Sequence, residues 1–261
     1  MTGLNRVGLI GGISWQSTEK YYRLMNERVH ARLGGQASAP VTVWSVDFAE
    51  VERLQRAGDW PALGAMFADA ATKLAATGAR AIGIAANTMH LVADDVSAAV
   101  DVAVVNLVDL VADVCAAGSY DRVGLIGTRY VMDSTDLFPP RFAARGIDVL
   151  VPGDADRRAL HELIYAELTR GIVDPHSARL VLEVIGRLAA NGAQAVILGC
   201  TEFGLLVHDG DACVPLLDTT ELHAFALADF VLDGPAGAAA AGTIEPGAQH
   251  AMSAGARSGG S

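Results

Sequence analysis

The amino-acid sequence predicts an α/β protein of two pseudo-symmetric doubly wound halves, each a mainly parallel sheet flanked by helices. Three observations carry this expectation. Short apolar runs bounded by turn residues alternate with amphipathic stretches of helical period, the pattern of repeated βα units. Most of the runs are apolar throughout rather than alternating, as strands covered on both faces require. The chain also repeats itself. Arg6-Val-Gly-Leu-Ile-Gly returns at Arg122, an offset of 122 − 6 = 116, and Gly78-Ala-Arg-Ala returns as Gly192-Ala-Gln-Ala, an offset of 192 − 78 = 114. Two elements in one order at nearly one spacing set a first half at 1–105 and a second at 106–218. A last helix over 219–232 is expected to pack back on the first half.

The first half holds candidate strands at 7–12 (VGLIGG), 41–48 (VTVWSVDF), 79–86 (ARAIGIAA) and 102–108 (VAVVNLV). The second half holds them at 123–127 (VGLIG), 148–152 (DVLVP), 194–199 (QAVILG) and 214–218 (VPLLD). Between strands, Asp59-Trp60-Pro61 reads as a cap and first turn. Leu63, Phe67, Ala70 and Leu74 follow at helical spacing, and Gly78 ends that helix. Ser177 is expected to cap a helix whose inner face carries Leu180, Val184 and Leu188, ended by Gly192. Residues 234–261, rich in glycine and alanine, offer little to bury and are expected to be a disordered tail. Ligands of parallel sheets sit beyond the carboxyl ends of the strands, so the active cleft is expected between the two halves.

Composition narrows the function. A net charge of −11 with no basic cluster argues against nucleic acid or an anionic membrane as partner. No apolar run reaches membrane-spanning length, and the N-terminus enters a strand without a leader-like apolar core, so a cytoplasmic protein is expected. Three cysteines without CxxC spacing suggest neither a disulfide framework nor a zinc site, and no metal is expected. Cys115 and Cys213 read as small buried hydrophobes. Only two lysines, Lys20 and Lys73, are present, both on helix-patterned segments. A pyridoxal Schiff base has almost nowhere to form, and no cofactor is expected.

One cysteine stands apart. Leu198-Gly199-Cys200-Thr201-Glu202 ends a buried strand with a glycine, a nucleophile and two polar groups. Cys200 is therefore the candidate catalytic residue, with Glu202 a candidate assisting acid. Applying the offset of 114 to residue 86 gives 200, so Ala86 in Ile84-Ala85-Ala86-Asn87-Thr88-Met89-His90 is the symmetry mate of Cys200. Asn87 and Thr88 supply amide and hydroxyl groups for a carboxylate or amino group, or else cap a helix. His90 is given no role. The turns Gly11-Gly12-Ile13-Ser14-Trp15 and Gly127-Thr128-Arg129-Tyr130 mirror one another without the spacing of a dinucleotide fingerprint.

Taken together, VGLIGGISWQST with YYRLMNERV, then SVDF, ANTMH and GCTEFGLL, resemble the cofactor-independent aspartate/glutamate racemases. The resemblance runs to about Leu232. It is nearest to the branch with GTRY after the fifth strand, which Arg129 fits. It implies a two-base mechanism in which one cysteine from each half flanks the substrate α-carbon. A thiol titrates near ~8.5, so modest stabilisation of its anion gives both forms at neutral pH. The family's first cysteine falls on Ala86, as in members that lack it, and the second on Cys200, which acts on the L-face. The resemblance further implies substrate contacts from Ile13, Ser14, Gln55, Thr128 and Thr201, and a homodimer. Where some members carry a lysine, this chain reads Ile172-Val173-Asp174-Pro175-His176; Arg53, Arg56 and Arg179 are then candidates to anchor the side-chain carboxylate. The expected activity is abstraction of the α-proton of L-aspartate or L-glutamate by Cys200. A decarboxylase-type reaction and a non-catalytic amino-acid binding protein are the alternatives.

Overall fold

The computed structural model describes residues 3–208 and 210–242. The chain forms two compact units, one built from the residues up to Leu107 together with Thr220–Ala241, the other from Val108–Thr219. In chain order the first unit carries β1 (Val7–Gly11), α1 (Trp15–Leu33), β2 (Val41–Ser45), α2 (Phe48–Ala57), α3 (Trp60–Ala76), β3 (Ala81–Ile84), α4 (Ala93–Ala98) and β4 (Ala103–Val104). The chain then runs through α5 (Leu107–Ala117), β5 (Arg122–Gly127), α6 (Arg129–Met132), α7 (Pro139–Ala143), β6 (Asp148–Leu150), α8 (Asp154–Ala166), α9 (Pro175–Ala190), β7 (Ala195–Gly199) and β8 (Leu216–Asp218). It returns to the first unit with α10 (Thr219–Asp233) and α11 (Pro235–Ala241).

Each unit has a four-stranded, all-parallel sheet, ordered β2-β1-β3-β4 in the first and β6-β5-β7-β8 in the second. The registers carry the same offsets as the sequence repeat. Val7 faces Ala81 across β1 and β3, and Val123 faces Ala195 across β5 and β7; 123 − 7 = 116 and 195 − 81 = 114. All eight expected strands are present, but several are shorter than their apolar runs. In VAVVNLV only Ala103 and Val104 pair with β3, and Leu107 already opens α5. A continuous apolar run has no period that marks where a strand gives way to a buried helix. β2 is an edge strand with Val43 and Trp44 exposed, so it lacks the cover on both faces that its composition suggested.

Alternation along β1 and β3 builds two cores in the first unit. Ile10, Ile82 and Ile84 pack with Leu63, Phe67, Ala70 and Leu74 of α3, the four residues whose spacing predicted that helix. Val7, Leu9 and Ala81 face the other way, against Tyr21, Met25 and Val29 of α1 and Ala224, Leu227 and Val231 of α10. In the second unit, Ile126, Val196 and Leu198 pack against Leu160 and Ile164 of α8 and Val181, Val184, Ile185 and Leu188 of α9.

Caps follow the expected chemistry with one shift. Asp59 accepts a hydrogen bond from the Ala62 amide at 3.1 Å and starts α3. In α9 the cap is Asp174, not Ser177: its carboxylate accepts from the His176 amide at 2.8 Å, and Pro175 fills the first turn. Ser177 lies one turn inside, donating to Glu167 at 2.6 Å. Proline suits the first helical position, where no amide donor is needed, so it moves the helix start ahead of the serine. Two further expectations are corrected. Cys213 is exposed, ahead of a β8 that begins only at Leu216. The tail does not begin at Gly234: Pro235–Ala241 form α11 with Gly237 and Ala241 buried. A β-carbon on Gly237 would lie 2.3 Å from the Asp229 carbonyl oxygen, so the glycine is what allows this close return. Residues 243–261 lie outside the described residues. Among those described, no helix is long and apolar enough to cross a membrane.

Candidate active site

In the first unit, the carboxyl ends of β1 and β3 lie side by side, because Ile10 pairs with Ile84. Gly12 leaves β1 with φ of 95°, a conformation open to glycine. Its amide donates to the Thr18 hydroxyl at 2.8 Å, and Thr18 donates in turn to the Ser14 carbonyl at 3.0 Å. Ile13 and Ser14, both buried, are thereby fixed at the start of α1, and the Ser14 hydroxyl caps that helix by accepting from the Ser17 amide at 3.3 Å. Ser17 donates its own hydroxyl to the Ala85 carbonyl at 3.3 Å, tying α1 to the end of β3.

Beyond β3, Ala86 and Asn87 are buried and Thr88 is half-buried at the head of a short 3-10 turn, Thr88–Val92. Gln55 of α2 reaches this segment, its amide nitrogen 3.9 Å from the Met89 sulfur. Gln55 is 5% exposed, and its Oε1 has no hydrogen-bond donor among the described residues. A buried amide oxygen without a donor is costly, so it marks a place where a ligand N–H would be welcome. His90 holds the turn. Its Nδ1 meets the Ala86 carbonyl at 2.8 Å and its Nε2 the Leu107 amide at 3.1 Å. Because a carbonyl accepts and an amide donates, the proton resides on Nδ1 and the ring is a neutral peg.

In the second unit, β5 and β7 pair up to Gly127 opposite Gly199, so Thr128 and Cys200 leave one edge together. A side chain at Gly199 would force a shift, and one at Gly127 would be a tight fit. A β-carbon on Gly199 would lie 2.9 Å from the Ile126 carbonyl oxygen, and one on Gly127 would lie 3.0 Å from that of Gly199. Cys200, Thr201 and Glu202 are all buried. The Cys200 thiol donates to Glu202 Oε2 at 3.0 Å, and the Thr201 hydroxyl donates to the same oxygen at 2.6 Å. Burial first, and then the Glu202 carboxylate, push the Cys200 thiol well above its ordinary range; Asp218 adds a smaller push. At neutral pH the resting group is thus a protonated thiol hydrogen-bonded to a carboxylate. Cys115, by contrast, is an inert core group pushed up to about 12 by burial alone.

Each sheet therefore brings together the residues expected of it. Ile13, Ser14, Gln55, Ala86, Asn87 and Thr88 gather at the carboxyl edge of the first. Thr128, Cys200, Thr201 and Glu202 gather at that of the second. The arginines offered as carboxylate anchors do not join them as free groups: Arg56 pairs with Glu52 at 2.6 Å, Arg53 and Arg179 are exposed, and Arg179 meets His176 at 3.4 Å. Sequence reasoning overlooked His161 of α8. Its Nδ1 accepts from the Arg129 amide at 3.4 Å, and its ring packs against Tyr130 and Tyr165. The spacing of His161 and Tyr165, one helical turn apart, was the available signal. Among the described residues no group of three or more His, Cys, Asp and Glu side chains is placed to hold a metal ion. Both lysines lie on helices, Lys73 in an exposed pair with Asp69 at 2.5 Å.

Several solved structures resemble this chain. A protein from Yersinia pestis assigned as an Asp/Glu racemase is 43% identical, with 88% of this chain and 100% of that one covered, and superposes with a TM-score of 0.82. An aspartate racemase homologue from Pyrococcus horikoshii OT3 is 29% identical over 88% of this chain and 100% of its own, with a TM-score of 0.77. The aspartate racemase of Picrophilus torridus, at 19% identity, has the same fold, with a TM-score of 0.70 over 95% of this chain and 99% of its own. The family model for Asp/Glu/hydantoin racemases matches residues 10–227, from the first strand into the last long helix, and the chain belongs to that family.

Proposed function

We propose that the protein abstracts the α-proton of L-aspartate or L-glutamate with Cys200, without a cofactor, and that Ala86 leaves the opposite face without a thiol. One observation carries this reading: the Cys200 thiol, behind a buried strand in a chain of this family, is hydrogen-bonded at 3.0 Å to the buried carboxylate of Glu202. A thiol held this way has a proton acceptor already in place. Glu202 takes the thiol proton, and the thiolate takes the α-proton from the L-substrate. The C–H electrons pass into an enediolate, which neighbouring donors stabilise as an oxyanion hole does. Thr128 and the Asn87-Thr88 segment are the polar groups suited to the carboxylate. The Gln55 Oε1 suits the substrate ammonium, since it lacks a donor.

Return of the proton to the same face exchanges the α-hydrogen with solvent. Inversion needs a proton from the other side; on this reading residue 86, the counterpart of Cys200 in the sequence repeat, would have to give it, and as alanine it has nothing to give. Incubation in deuterated water, followed by proton NMR of both enantiomers, tests the reading. Exchange on L-aspartate or L-glutamate is expected to run much faster than on the D-forms, with slow inversion. Equal exchange on both enantiomers, or none on either, overturns it.

The protonated state of Cys200 favours a second reading. A resting thiol is a proton donor, so the site also suits protonation of an enediolate left by loss of carbon dioxide. Release of carbon dioxide from a 2-substituted malonate, without exchange on amino acids, would select that reaction. A pure amino-acid binding protein would do neither.

A further inference from the structure

Where some members that the chain resembles carry a lysine, after the helix that ends here at Gly171, the chain presents Ile172 and Val173, 50% and 53% exposed. An acidic amino acid would then lack a partner for its side-chain carboxylate, and Arg129, beside the second sheet, already pairs with Asp133 at 3.1 Å. α8 supplies another group. Near its start, Asp156 pairs with Arg187 at the far end of α9 at 2.9 Å. Five residues later, His161 meets the Arg129 amide just beyond β5. α8 thus climbs toward the carboxyl edge that carries Thr128 and Cys200, and delivers His161 there.

The ring is set in place. Tyr165 holds it at 4.8 Å between centroids and Tyr130 at 6.1 Å. Accepting from a backbone N–H fixes Nδ1 as the unprotonated nitrogen, so Nε2 bears the hydrogen. Among the described residues that Nε2–H makes no hydrogen bond, and the ring is only half-buried. We propose that His161 is a specificity-determining residue, whose Nε2–H donates to the side-chain carboxylate of the bound acidic amino acid in place of the missing lysine. Partial burial, and then the Arg129 charge, lower the basicity of the ring. It therefore acts as a neutral donor, and binding of the side-chain carboxylate is weaker than an ammonium would give.

This inference rests on the racemase reading, and a paired test separates the two. His161→Gln is compared with the parent for L-aspartate and L-alanine, by direct binding in NMR titration and by α-proton exchange. L-alanine has the same α-carbon but no side-chain carboxylate. The expected result is a rise of about tenfold in Kd and KM for L-aspartate, the scale of one hydrogen bond to a charged group. The maximal exchange rate stays within about threefold, and L-alanine is unaffected. His161→Lys, which returns a cation, should bind L-aspartate at least as tightly as the parent. Equal weakening of aspartate and alanine, or unchanged aspartate affinity in His161→Gln, overturns the assignment. If the parent binds aspartate in this histidine-dependent way yet exchanges no α-proton, the racemase reading fails while the carboxylate contact stands.

Discussion

At the scale of single residues, the Cys200–Glu202 contact sets out what each partner must do. Cys200→Ser keeps the shape but replaces the thiol with a hydroxyl that ionises far less readily. α-Proton exchange on the L-substrate should fall by at least ~100-fold while binding survives. Near-normal turnover would remove Cys200 from the chemistry. Glu202→Gln gives a sharper result, because two readouts should move in opposite directions. The carboxylate opposes ionisation of the thiol, so its loss should speed alkylation of Cys200 by iodoacetamide at pH 8. Exchange should nevertheless fall, because the acceptor for the thiol proton is gone. A variant with faster alkylation and undiminished exchange would show that Glu202 takes no part. Ala86→Cys completes the set: it should raise exchange on the D-enantiomer, and no gain in a folded variant would count against the mate position.

Secondary-structure elements meet the site through their turns. Gly12 adopts a φ of 95°, and a β-carbon there would lie 2.2 Å from the Val46 carbonyl oxygen. Gly12→Ala should therefore lower stability by at least ~2 kcal/mol, combining backbone strain with a clash against main chain. A urea midpoint unchanged from the parent would refute this. Much at this scale was legible beforehand. Leu63, Phe67, Ala70 and Leu74 announced α3, and the doubled Arg-Val-Gly-Leu-Ile-Gly announced β1 and β5. Strand lengths were not legible, since apolar runs such as VAVVNLV pass from strand into buried helix without a change of composition. For the candidate site, the strand-end motif singled out Cys200 and the repeat paired it with Ala86. The Glu202 hydrogen bond and the seat of His161 could not, because they depend on side-chain direction and on a helix returning to a sheet edge.

For the whole molecule, a histidine inside the first unit sets the response to acid. His223 donates from Nε2 to the Val105 carbonyl at 2.8 Å, and its Nδ1 accepts from the Tyr21 hydroxyl at 2.9 Å. Burial, with a smaller push from His90, lowers it from 6.5 to about 3. The unfolded chain binds this proton near pH 6.5 and the folded chain does not, so stability is complete above that pH and is lost as pH falls toward 3. The slope should approach ~1.4 kcal/mol per pH unit within that window, read from urea midpoints at pH 7 and pH 5. His223→Gln should flatten it, and an equal slope in that variant would move the cause elsewhere. Activity should also survive dialysis against a chelator and treatment with carbonyl reagents. Loss restored by added metal would end the cofactor-free reading.

The return of α10 to the first unit has a consequence for biosynthesis. The ribosome releases residues Val108–Thr219 of the second unit before the last wall of the first unit has been made. Until then, β1 and β3 expose the face that Leu227 and Val231 will cover. Gly83, whose absent side chain leaves room for Leu227, faces an empty groove. Arg28 waits for Asp229, its partner at 2.7 Å, and Asn5 for the Val231 carbonyl at 2.9 Å. The half of the protein translated first is thus the half that finishes folding last. A nascent chain stalled before Leu227 should resist protease over its middle segment while its N-terminal segment is still cut.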